Sequence, residues 1–384
     1  MRRLPATVVT LGFVSFFNDL ASEMVTPLVP LVLAGALGAG PVALGVIEGV
    51  AEAVSAWLKV WAGARSDGGA RKPWVLAGYA LSNLVRPLFG VAGSWLQLAS
   101  LRAVDRVGKG LRSAPRDALV ADATPQALRG TAYGFHRAMD NAGAFLGALV
   151  AAAAVAWGGL ALPQVMLWSA VPGAIGVLLV WRVLRDAPRA AEAAKRPPLR
   201  WALLPRALRG YLVLVAAFGL ARASETFVVW RGHELGCSAA SLLVLWALMS
   251  LAKSGAAMLG GRLADHIGAR AMLRVGWAAL ALGYLLLGGV TTAGQLWAAA
   301  LAYGVLAGLS EGVERALVGA LVPAALRGSA FGWYYLLSGA VAIPAGAAFG
   351  AVWQAAGAAT AFCLVAALAG MCTLATRYWL KETN

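Results

Sequence analysis

Asn18, Asp19 and Glu23 stand together inside the first apolar stretch of the chain, where an ionised carboxylate is costly unless it is paired or reaches water. At 1.5 Å per residue from Ala6, Asn18 and Asp19 lie about 18–20 Å along a helix, near mid-membrane. Glu23 lies one turn beyond Asp19 on the same face. Two carboxylates that close can hold and release a proton between them. A static, hydrogen-bonded polar patch is the other reading of the same residues.

Further ionisable groups recur at helical spacing. Glu48, Glu52, Ser55 and Lys59 share one stripe, suited to lining a cavity or to pairing with other helices. Arg102, Asp105 and Arg106 follow, with Arg102 roughly 10 Å in from the outer face. A buried arginine keeps its proton, so it holds a neighbouring carboxylate ionised until a conformational change separates them. A permanent salt bridge from Arg102 to Asp19 or Glu52 is the static alternative. His136, Arg137, Asp140 and Asn141 form a fourth group, in which the histidine is a proton relay or a hydrogen-bonded packing residue. In the second half Arg222, Glu225, Lys253, Glu311, Glu314 and Arg315 continue the pattern, with mutual pairing of Arg222 and Glu225, three apart, as the static alternative. The candidate proton-coupling or substrate-cavity residues are therefore Asn18, Asp19, Glu23, Glu48, Glu52, Arg102, Asp105, His136, Asp140, Arg222 and Glu225.

The elements that must position them are membrane helices. The 384-residue chain is 60% hydrophobic and 13% charged, against about a quarter charged in soluble domains. Mean hydropathy is +0.74. Apolar stretches of about twenty residues or more, enough to cross about 30 Å of hydrocarbon, fall near 6–35, 42–64, 72–94, 96–115, 128–157, 162–185, 208–231, 238–262, 270–291, 294–321, 327–354 and 357–379. The expected fold is an all-α membrane protein of twelve transmembrane helices in two pseudo-symmetric six-helix bundles, residues 1–187 and 208–384, joined by a charged, proline-rich cytoplasmic linker over 188–207. Glycine and alanine one turn apart, as in Gly143 and Gly147, permit close helix approach in lipid.

Net charge is +15, and the basic residues cluster in alternate loops: Arg65, Arg71 and Lys72; Arg112, Arg116 and Arg129; Arg182 through Arg209; Arg262, Arg270 and Arg274. By the positive-inside rule these loops and both termini are cytoplasmic. The charge is then a topology signal with anionic-lipid contact as a by-product, and nucleic acid is not an expected partner. The polar residues within the first stretch argue against a cleaved signal peptide. Cys237, Cys363 and Cys372 are scattered among apolar segments and suggest neither a disulfide framework nor a metal site. Nucleophile-and-base pairs, phosphate-binding glycine loops and metal-ligand spacings do not occur, so neither an enzyme nor a cofactor is expected.

The second half repeats the first. Pro125-Gln-Ala-Leu-Arg-Gly-Thr-Ala-Tyr-Gly-Phe135 returns 198 residues later as Pro323-Ala-Ala-Leu-Arg-Gly-Ser-Ala-Phe-Gly-Trp333, and Gly63 and Asp67 return as Gly261 and Asp265. Both halves begin in the cytoplasm with an even number of spans, which makes the repeats parallel. Gly63-Ala-Arg-Ser-Asp67-Gly-Gly-Ala-Arg71-Lys72 and its copy Gly261-Arg-Leu-Ala-Asp265-His-Ile-Gly268-Ala-Arg270 resemble the loop motif of the major facilitator superfamily. That resemblance covers nearly the whole chain and implies a conformational latch formed by Gly63, Asp67, Arg71, Gly261, Asp265 and Arg270. Arg102-Ala-Val-Asp105-Arg106 resembles the superfamily's Arg-x-x-Gln-Gly pattern, whose arginine is linked to proton transfer, with Asp105 in place of the glutamine and Arg106 in place of the glycine. Gly143 to Ala148 lacks the proline of the antiporter motif on span five.

The resemblance implies a monomeric secondary transporter of the bacterial inner membrane that moves a small organic solute by alternating access. Proton-coupled export is the leading expectation. Proton-coupled uptake of a siderophore, sugar or organic anion is the alternative, and a non-transporting scaffold or sensor would gain nothing from the buried charges.

Overall fold

Long apolar runs broken only by proline, glycine and short polar turns leave the backbone no way to satisfy its hydrogen bonds in lipid except as helix. The computed structural model describes residues 4–66, 69–125, 128–185, 199–310, 313–323 and 326–379, and the regular elements among them are all helical. In chain order the α-helices are α1 (Ala6–Glu23), α2 (Val29–Gly35), α3 (Pro41–Ser66), α4 (Lys72–Val85), α5 (Trp95–Ala123), α6 (Arg129–Ala156), α7 (Leu162–Trp168) and α8 (Ala170–Arg182). The second half supplies α9 (Arg206–Leu220), α10 (Thr226–Glu234), α11 (Ala239–Ile267), α12 (Ala269–Gly288), α13 (Ala293–Ser310), α14 (Val313–Ala320) and α15 (Arg327–Trp379).

Among the described residues, eight helical stretches are long and apolar enough to cross a membrane. The expected spans near 72–94, 96–115 and 208–231 are not among them, for local reasons. After α4 the chain tightens into a 3-10 turn at Arg86–Val91; α5 carries several charges; α9 and α10 are parted by residues 221–225. The expected pair 327–354 and 357–379 forms one apolar stretch folded at Gly357, whose φ of 84° is a left-handed conformation that suits glycine. Gly268, with φ 83°, likewise parts α11 from α12.

One boundary differs from the sequence reading. The fourth span was expected to end at 115, with Arg112 and Arg116 in a basic loop, yet α5 continues through Pro115 to Ala123. The Arg112 side chain is buried, donating to Ser82 Oγ at 2.7 Å and the Gly78 carbonyl at 3.4 Å and lying over the Tyr79 ring at 4.6 Å, so α4 shelters what would otherwise be a loop charge. Residues 188–198 of the expected linker lie outside the described residues, and α9 begins at Arg206.

Two compact units emerge. Unit 1 comprises Met1–Gly38, Val54–Ala194 and Ser238–Ala247; unit 2 comprises Ala39–Ala53, Lys195–Cys237 and Leu248–Asn384. The first part of α3 thus belongs to unit 2 and the first part of α11 to unit 1. In unit 1, α1 packs on α6 and α8, and α4 on α5 and α8. Val8, Leu11, Val14, Val75, Tyr79 and Val180 are among its core residues. A Cβ at Gly143 or Gly147 would run into the backbone of Phe16 or Leu20, the residues that bracket Asn18 and Asp19. In unit 2, α12 packs on α13 and α15, and α9 on α15, around a stacked Phe218–Trp277 pair with centroids 3.9 Å apart. Gly45 and Gly346 meet there so closely that a Cβ on either would overlap the other's carbonyl.

Because backbone cannot retreat as a side chain can, Gly143→Leu should destabilise unit 1 by about 1–3 kcal/mol. Thermal unfolding in detergent should show a lowered Tm for Gly143→Leu and little change for Gly134→Leu, since a Cβ at Gly134 meets nothing within 4 Å.

Candidate functional site

The interior of unit 1 is built around Arg86, at the head of the 3-10 turn that follows α4 and only 3% exposed. Its Nε donates to Asp105 Oδ1 at 2.9 Å. Its Nη1 donates to the Asn18 carbonyl, Asn18 Oδ1 and Asn83 Oδ1 at 3.1, 3.0 and 3.1 Å. One guanidinium therefore ties α1, α4 and α5 together. Asp105 is fully buried, and its Oδ2 lies 3.8 Å from Arg106 Nε. Arg102, three residues earlier on α5, is buried as well.

Asn18 passes the effect onward. Its amide oxygen accepts from Arg86 and its Nδ2 donates to Asp19 Oδ1 at 2.8 Å, which fixes the orientation of the amide. Asp19 is half-buried. One turn further, half-buried Glu23 accepts a 2.8 Å hydrogen bond at Oε2 from Trp246 Nε1, on the part of α11 that belongs to unit 1. Asp19 and Glu23 are thus both held by neutral donors, whereas Asp105 is held by arginine.

His136 and Asp140, one turn apart on α6, form the second polar group of the unit. The Nε2 of His136 lies 2.8 Å from Ser15 Oγ, which also meets the Tyr79 hydroxyl at 3.3 Å and accepts from Arg116 Nη1 at 3.4 Å. The Nδ1 lies 3.5 Å from Asp140 Oδ2. A histidine with a hydroxyl on one nitrogen and a carboxylate on the other is oriented at both ends.

In unit 2 the mutual pairing of Arg222 with Glu225 does not form. Residues 221–225 leave the helix between α9 and α10, so three-residue spacing no longer stacks the two side chains. Arg222 instead pairs with buried Glu314, and Lys253 Nζ donates to Glu225 Oε1 at 2.5 Å. Trp277 Nε1 donates to Glu314 Oε1 at 2.9 Å and the Tyr334 hydroxyl to Oε2 at 3.1 Å. Three donors on one carboxylate make Glu314 a fixed anchor. Glu311 lies outside the described residues.

Glu48 is half-buried and Glu52 exposed, both on the part of α3 that belongs to unit 2. Of the expected latch, Gly63 approaches α5 closely, with Ala114 Cβ 3.2 Å from where its own Cβ would stand. Asp67 lies outside the described residues, and Arg71 pairs with Asp122 at the end of α5. Gly261 and Asp265 are exposed on α11, while Arg270 is half-buried in the first turn of α12.

Sequence reasoning missed Arg86 and read Arg112 as a loop residue, whereas it is buried on α5. The signal for Arg86 was present: it is an arginine within the apolar stretch 72–94, and a cation there demands a partner.

The model of the Major Facilitator Superfamily matches residues 11–249 of this chain. The chain belongs to that superfamily. An uncharacterised MFS-type transporter of Methanocaldococcus jannaschii is 30% identical over 363 residues, covering 92% of this chain and 90% of its relative. A crystallised nucleoside transporter superposes with a TM-score of 0.83 at 13% identity, covering 98% of this chain and 100% of that one. A human organic anion transporter superposes with a TM-score of 0.68 at 18% identity, covering 97% and 99%. These superpositions place the all-α chain in the fold of membrane transporters.

Removing Arg86 would strand the buried carboxylate of Asp105. Arg86→Gln should therefore cost about 3–5 kcal/mol, and adding Asp105→Asn should recover part of it; a double-mutant cycle on thermal or chemical unfolding in detergent measures both.

Proposed function

We propose that this transporter couples export of a small organic solute to entry of protons by alternating access, with Asp19 and Glu23 carrying the proton. The observation that carries the reading is the contrast among intramembrane acids. Asp105, Glu225 and Glu314 each contact a cation, whereas Asp19 is held by the Asn18 amide and Glu23 by the Trp246 indole. A carboxylate hydrogen-bonded by an arginine gains little from taking up a proton, while one whose hydrogen bond comes from a neutral donor keeps that bond with less dependence on its own charge. Protonating Glu23 would also weaken the charge-assisted bond from Trp246, which connects the state of α1 to α11.

Export is supported by the contact of α6 on α1. Gly143 and Gly147, in the region where antiporters of the superfamily carry a Gly-Pro-rich motif whose proline is absent here, abut the backbone on either side of Asn18 and Asp19, so movement of α6 bears directly on the proposed proton site. Nucleosides and organic anions, the solutes named for two transporters of the same fold, are the first candidates to test. The basic loops face the cytoplasm in this reading, by the positive-inside rule.

In proteoliposomes carrying a trapped pH dye, radiolabelled nucleosides and organic anions should accumulate on the acidic side of an imposed pH gradient, as antiport requires. Asp19→Asn should abolish gradient-driven flux, and Trp246→Phe should slow it. Accumulation on the alkaline side would establish symport instead, and flux indifferent to the gradient and to Asp19→Asn would remove the proton from the mechanism.

A further inference from the structure

We propose that the basic end of unit 1 holds the phosphate headgroup of an anionic phospholipid in a cavity between the first turns of α1 and the end of α8. The cavity measures about 370 Å³ and is lined by Ala6, Thr7, Thr10, Arg182, Val183 and Arg185. Among the described residues, two guanidiniums and two hydroxyls line one space and no carboxylate does. Guanidinium offers paired N–H donors that match phosphate oxygens, and threonine adds O–H donors.

The local structure leaves these groups available. Lys72 Nζ donates to the Trp181 carbonyl at 2.9 Å, so the carbonyl end of α8 already has a cation from α4. Arg182 lies over the Trp181 ring, its Cζ 4.3 Å from the centroid, a stacking that orients the guanidinium while leaving its N–H edge free to donate. Leu184 is buried in the core of the unit and anchors the chain between Val183 and Arg185.

The same donors would suit a free phosphate, but their surroundings favour a lipid. Trp181 and Val183 are 54% and 50% exposed beside the cavity, giving acyl chains an apolar surface next to the headgroup. The assignment rests on the orientation proposed above, which sets this end of the unit at the cytoplasmic leaflet, where anionic lipids attract arginine.

Native mass spectrometry of the full chain in detergent, titrated with phosphatidylglycerol or phosphatidylcholine, tests the proposal. Phosphatidylglycerol should be retained preferentially, and Arg182→Gln with Arg185→Gln should weaken that retention by about fivefold per arginine. Arg182→Lys with Arg185→Lys should retain part of it, and Arg377→Gln, an exposed arginine at the end of α15, should change nothing. Single Arg185→Gln serves as the measure if the double variant does not purify. Equal retention by wild type and the glutamine variants would overturn the proposal. Displacement of phosphatidylglycerol by inorganic phosphate at matched concentration would reassign the cavity to a free anion and overturn it too. Asp19→Asn should leave lipid retention unchanged, so a failure of proton coupling and a failure of the lipid site are read separately.

Discussion

A buried ion pair between Arg86 and Asp105 governs the interior of unit 1. Neither charge could remain in a lipid-embedded bundle alone, and together they still need their remaining donors and acceptors satisfied. Arg86 meets that need by reaching Asn18 and Asn83 as well, which joins three helices through one side chain. The contact with Asn18 then fixes the amide that holds Asp19. A static, strongly paired centre thus sets the geometry of a carboxylate that is held by an amide.

Unit 2 is held together by cation-paired acids as well. Glu314, surrounded by Arg222, Trp277 and Tyr334, is a structural anchor, and its pairing joins the segment between α9 and α10 to α14. Lys253 and Glu225 bring α11 to that same segment. The break at 221–225 matters here because it turns Arg222 and Glu225 toward different helices, where a continuous helix would have let them neutralise each other. Each pair therefore joins elements far apart in sequence, and a change in any of them is felt across several helices.

Much of this was legible from residues alone. The tandem repeat, the hydropathy and the doubled loop motif point to the superfamily, because membrane helices are constrained by length and polarity more than by detail. Gly357 shows the limit on the favourable side: a break placed near 355 by composition falls at a glycine whose backbone only that residue adopts readily. The partners of the charges were not legible. Spacing places Asp105 near Arg102 and Arg106, yet the closest cation comes from Arg86 on another helix, and tertiary contacts of that kind leave no periodic trace. Arg112 went astray for a related reason, since its positive charge reads as a loop signal until α4 is seen to bury it.

The division of labour between cation-paired and amide-held acids is open to direct spectroscopic observation. Infrared difference spectra of the purified protein, recorded between acid and alkaline buffer, should contain a carboxyl band that disappears in the Asp19→Asn, Glu23→Gln double variant and persists in Asp105→Asn. A band that survives the Asp19→Asn, Glu23→Gln double variant, or one that is lost with Asp105→Asn alone, would contradict the assignment of the mobile proton to α1.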